Sequence, residues 1–111
     1  MPKATATVTI AAGTAVSTSA DLSSGAILTT LISPDDWTPA NLSFLISADN
    51  ITFSDLFDAL GQEVLKSMGP GRAILVDPSL TQSAFYIKLR SGPRANPVMQ
   101  AADRVFKLLL A

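Results

Sequence analysis

Ala84-Phe85-Tyr86-Ile87-Lys88-Leu89-Arg90 places Phe85, Ile87 and Leu89 on one side of an extended chain and Tyr86, Lys88 and Arg90 on the other. Side chains of a β-strand alternate between the two faces of a sheet, so this is the pattern of a strand with one buried and one solvated face. Ser91-Gly92-Pro93 closes it with turn chemistry. Outward from this segment the same grammar recurs. Ala4 to Ile10 alternates Ala6, Val8 and Ile10 with Thr5, Thr7 and Thr9, and Gly13 breaks it. Ala15 to Leu22 alternates again, Ser23-Ser24-Gly25 turns, and Ala26 to Ile32 follows as an apolar strand. Leu42 to Ser47 leads into Asp49-Asn50, a pair that tolerates positive φ and suits a hairpin, with Ile51 to Phe53 returning antiparallel.

Downstream, Gly69-Pro70-Gly71 and Asp77-Pro78 are turns that bracket a strand over Arg72 to Val76. Arg104 to Leu110 alternates at first and ends apolar, as a strand covered on both sides or by a neighbouring subunit would. One helical turn is expected at Ser33-Pro34-Asp35-Asp36, with Ser33 as cap, Pro34 in the first position and acidic residues at the positive dipole end, carrying Trp37. Phe53 to Met68 reads two ways. Phe53, Leu56, Phe57, Leu60, Val64 and Leu65 fit a helix running from Ser54 to Gly69, but Gly61 inside it costs about 1 kcal/mol relative to alanine.

Strands recurring every eight to twelve residues or so predict one all-β domain over residues 1–111. The expected architecture is an antiparallel β-sandwich, jelly-roll-like, with about eight short strands and at most one short helical turn. A chain of 111 residues is long enough for one such core. Only 15% of its residues are charged and 48% are hydrophobic, against about 25% charged in ordinary domains, so apolar surface is expected to remain for partners.

Composition also excludes functions. Net charge is −1 with scattered basic residues, which argues against nucleic acid. Threonines interrupt any signal-peptide core near the N-terminus, and the longest apolar run, Leu108 to Ala111, is far too short to span a bilayer, so a soluble protein made in a cytoplasm is expected. Without cysteine or histidine, hydrolytic triads and Cys or His metal sites are missing. The remaining carboxylate candidates are Asp35 with Asp36, Asp55 with Asp58, and Glu63. They read as turn and surface charges, and their spacing does not match a calcium loop. Gly69-Pro70-Gly71-Arg72 lacks the ending of a phosphate loop. No enzyme activity, cofactor or metal is expected. Trp37 reads as a core plug, and Tyr86 as a surface or interface contact.

The stretch from Ser43 to Val64, together with Phe85 to Gly92 and Arg104 to Leu110, resembles small virion proteins of tailed bacteriophages and prophages. In that pattern a glycine often follows the first-turn aspartate and a tyrosine precedes the second aspartate; here those positions hold Asn50 and Phe57. The resemblance implies a β-sandwich in which Asp58 to Gly61 is a hairpin turn, which resolves the ambiguous segment towards strands. It also implies a non-enzymatic capsid decoration or cement protein, located on the capsid surface of the virion. The expected partners are itself, as a homo-oligomer with a trimer favoured, and the major capsid protein. A tail or head-tail adaptor component is the near alternative, and a carbohydrate-binding module the alternative of another class. Interface contacts are expected at Thr5, Thr7, Thr9, Tyr86, Val105, Leu109 and Leu110, because a threonine-rich edge strand offers unpaired backbone groups and an apolar final strand favours persistent contacts.

Overall fold

A computed structural model describes residues 3–111; Met1 and Pro2 lie outside the described residues. Eight strands form two antiparallel four-stranded sheets. The strands are β1 (Ala4–Ile10), β2 (Ala20–Asp21), β3 (Leu28–Ile32), β4 (Leu42–Ser47), β5 (Ser54–Asp55), β6 (Ala73–Leu75), β7 (Tyr86–Ser91) and β8 (Arg104–Leu110). The first sheet has the order β1-β8-β3-β6 and the second β2-β7-β4-β5. Only the link from β4 to β5 stays within a sheet; every other connection crosses between them. The first and last strands are therefore neighbours, paired from Ala4 with Leu110 to Ile10 with Arg104.

The core lies between the sheets. Val8, Ile10, Leu31, Phe106 and Leu108 come from the first, and Leu42, Phe44, Ile87 and Leu89 from the second. A bulge in β3 between Leu28 and Thr30 lets Leu28 and Leu31 both face inward despite their odd spacing. Trp37 plugs the interior at 2% exposure and meets Phe106 edge to face, with ring centroids 5.0 Å apart.

Several local expectations change. The segment from Ala15 to Leu22 is not one strand: Ser17 bridges Ile10, Val16 bridges Arg90, and only Ala20–Asp21 forms a ladder, because this stretch crosses from one sheet to the other. The turn at Pro34 to Trp37 is closed by a single bond from Trp37 N–H to the Pro34 carbonyl (3.2 Å) and is not helical. Ser33 cannot cap it, since its hydroxyl donates to the Gly69 carbonyl (2.6 Å) and accepts from Arg72 N–H (2.9 Å). The helix instead is α1 (Pro78–Thr81), where Asp77 caps by accepting from Ser79 N–H (3.0 Å) and Pro78 takes the first turn.

After β4, Asn50 adopts φ 61°. The Asp49 carboxylate accepts from the amides of Ile51 and Thr52 (both 2.9 Å), so the returning strand starts at Ser54 and not at Ile51. Residues 54 to 66 contain no helix. Phe57 bridges Glu63, Asp58 exchanges backbone bonds with Gln62 and Gly61, and the Asp58 carboxylate takes the amides of Leu60 and Gln62. Gly61 sits at φ 79°, which no helix interior allows. This is the hairpin that the resemblance implies at Asp58 to Gly61.

Candidate interaction face

Register and parity build one exposed surface. Because Val8, Ile10, Phe106, Leu108 and Leu31 point into the core, their neighbours in β1, β8 and β3 point outward. Across the first sheet these outward residues align in rows. One row reads Thr5, Leu109, Thr30, Leu75; the next reads Thr7, Lys107, Ile32, Ala73; a third pairs Thr9 with Val105. Lys107 is the only charge in these rows. Leu75 is 77% exposed and Val105 47%. At one corner, where β1 begins and β8 ends, a shallow depression of about 380 Å³ is lined by Lys3, Thr5, Thr29, Leu109 and Ala111.

The seven residues expected at an interface divide. Thr5, Thr7, Thr9, Val105 and Leu109 share this face. Leu110 does not: it packs into the core at 7% exposure, because it lies two residues beyond Leu108 on the inward parity. Tyr86 stands half-buried on the second sheet, beside Asp21 and Ser47. Thr30, Ile32, Ala73 and Leu75 complete the face and were not legible as members of it, since nothing local reveals that β3 lies beside β8.

The outer face of the second sheet is the opposite case. Arg90, on the side of β7 expected to be solvated, is buried. Its guanidinium donates to Ser43 Oγ (2.8 Å), Asp55 Oδ1 (2.6 Å) and Glu63 Oε2 (3.1 Å). Arg94 adds a bond from Nε to Asp55 Oδ2 (3.1 Å) and one from its amide to Glu63 (2.8 Å), and its guanidinium lies over the Phe57 ring. Lys88 Nζ sits 4.3 Å from the centre of the Phe53 ring. The hairpin over residues 54 to 66 is thereby clamped across this sheet, burying Leu56 and Val64 beneath it. Phe85, expected to face inward with Ile87 and Leu89, precedes the strand and is exposed.

Four of the carboxylates considered for chemistry have structural partners. Asp58 holds its turn, Asp36 pairs with Arg104 (2.9 Å), and Asp55 and Glu63 share Arg90. The hydrogen bond from Arg90, helped by Arg94, keeps the Asp55 carboxyl below its ordinary range despite partial burial. A second depression, about 430 Å³, is lined by Ile46, Ser47, Asp49, Thr52, Ser54 and Phe85. Its one carboxylate, Asp49, is held low by the Thr52 and Ile51 amides and the Ser47 hydroxyl. No cluster of three or more metal-ligating side chains and no helix long and apolar enough to cross a membrane occurs among the described residues. In comparisons with protein-family models, curated proteins and solved structures, nothing matches this chain.

Proposed function

We propose that this chain is a non-enzymatic structural protein of a tailed-phage virion, a head decoration or cement protein. In this reading it seats on the major capsid protein through the outer face of the first sheet and associates with copies of itself. The observation that carries the assembly role is the contrast between the two sheets. One outer face is closed by the chain's own hairpin and a neutralised arginine cluster, while the other is left uncovered, with Leu75 and Val105 exposed, Ile32 and Leu109 half-buried, and Lys107 the one charge in its rows beside Lys3 at the corner. Exposed leucine and valine on an uncovered sheet face of low charge are costly to leave in water and favour an interaction surface. The virion setting comes from the sequence resemblance. A sugar-stacking role loses its best platform, since Trp37 is inside the core.

The test is mass spectrometry of density-banded phage particles from an induced lysate of the source strain. Stoichiometric presence in the head fraction, and lower heat resistance of heads made without the gene, are the expected results. Absence from purified particles overturns the virion reading, and presence in tails alone overturns the head assignment.

A further inference from the structure

Four strands end the two sheets. β2, β5 and β6 are two or three residues long, whereas β1 runs seven. Only half of the hydrogen-bonding capacity of β1 faces β8. Thr9 shows which half: its N–H reaches Thr18 Oγ1 (3.1 Å) and its carbonyl accepts from Thr18 N–H (3.0 Å), on the side away from β8. By the same alternation the N–H and C=O groups of Thr5 and Thr7 point to the open side, and none has a backbone partner among the described residues. Natural edges are usually blunted by charge, proline or a bulge. Between Ala4 and Ile10 there is no charge and no proline, and the pairing with β8 runs without a register shift.

We propose that a second copy of this chain pairs here, β1 antiparallel to β1 about a two-fold axis at Thr5. On that axis Thr5 faces the second copy's Thr5, while Lys3 faces the second copy's Thr7 and Thr7 its Lys3. Each is a hydrogen-bonded pair that exchanges both bonds. The strand is self-complementary in this sense: its open groups recur every second residue on both sides of Thr5, so reversal brings each donor to an acceptor. Threonine pairs on the outer face add cross-strand contacts, and Ala4 and Ala6 present no bulk on the other. Charge opposes the contact only weakly. Lys3 meets threonine, and Lys107 lies one strand in from the edge, so Lys3 stands two strand spacings, roughly 10 Å, from the second copy's Lys107, just beyond the Debye length of about 8 Å, and the two Lys107 residues are farther apart still. Such a contact is isologous and closes on itself, which removes the edge instead of propagating it.

The consequence rests on the proposed function: pairing joins two bare outer faces into one eight-stranded docking surface. It gives a dimer in place of the trimer favoured from the sequence. The test is light-scattering mass over a hundredfold dilution with two variants. Wild type is expected at twice 11.6 kDa. Thr5→Pro removes an N–H that β8 does not use, a placement edge strands tolerate, so it should be monomeric with an unchanged circular-dichroism spectrum. Thr5→Cys, in a chain without native cysteine, should form a covalent dimer on mild oxidation, because Cα atoms of such a pair lie about 5.5 Å apart, within disulfide reach. Thr30→Cys, two strands away from β1, should not. If Thr5→Pro fails to fold, the cysteine pair decides alone. A wild-type monomer or trimer, or no Thr5→Cys cross-link, overturns the pairing. An oligomer that survives Thr5→Pro but dissolves on Val105→Glu also overturns it and leaves the bare-face reading intact.

Discussion

Replacing Arg90 with methionine leaves two carboxylates on a covered sheet face without their shared cation. Arg90 gives one bond each to Asp55 and Glu63 and a third to Ser43. Bonds to charged groups contribute about 1.5–3 kcal/mol each, which bounds the carboxylate loss at roughly 3–6 kcal/mol. Arg94 remains a partner to both carboxylates, solvent reaches part of each, and methionine refills the space of the arginine stem, so the lower end applies. The expected loss is about 3 kcal/mol out of a total near 5–15 kcal/mol. Urea unfolding followed by Trp37 fluorescence is the assay, since this single tryptophan is buried against Phe106. With a slope of about 1.5 kcal/mol per molar, the midpoint should fall by roughly 2 M. Adding Asp55→Leu and Glu63→Met should restore most of it, because an all-apolar replacement leaves no orphaned charge. A midpoint shift below about 0.5 M for Arg90→Met would refute the claim that this cluster clamps the hairpin.

Acid should destabilise the fold in a defined window. Asp21 is held low by the Ser23 hydroxyl and amide, Asp49 by the Thr52 and Ile51 amides, Asp55 by Arg90, and Asp77 by the Ser79 amide. Each folded carboxyl therefore titrates below its unfolded value of about 4. Their stabilisation is complete above that pH and is lost as pH falls through the folded values, so urea midpoints should be level from about pH 7 to 5 and drop below about pH 4; a level curve down to pH 2.5 would contradict this. Gly61→Ala should cost about 1–2 kcal/mol through its positive φ alone, because a methyl there meets no atom within 4 Å. A melting temperature lowered by several degrees, with the light-scattering mass unchanged from wild type, is the expected readout.

Much of the sandwich is legible in residues such as Val8, Ile10, Phe106 and Leu108, whose alternation survives in the folded burial pattern. The losses have local physical causes. Ser33-Pro34 and Asp77-Pro78 carry the same helix-start signature, and only tertiary bonds from Ser33 to Gly69 and Arg72 decide between them. Arg90 reads as solvated because periodicity along β7 is blind to a hairpin laid over it. Gln100, wholly buried, bonds Ser91, Thr38 and Arg104, and no pattern in its own segment announces that. Leu108, Leu109 and Leu110 form an unbroken run, so the outward member is fixed only by register with Phe106. Five of the ten residues in the rows of the candidate face, all on β1 and β8, are ones the sequence singles out, whereas Thr30, Ile32, Ala73 and Leu75 join it through strand order, which is a long-range property.

The most direct measurement is co-sedimentation of the purified protein with heads from particles lacking it, comparing wild type with Val105→Glu/Leu75→Glu. Both positions lie on the exposed outer face, so the variant should keep its fold. Saturable binding by wild type, reduced at least tenfold in the variant, is the predicted result. Failure of wild type to bind, or equal binding by both proteins, would contradict the assignment of this face as the docking surface.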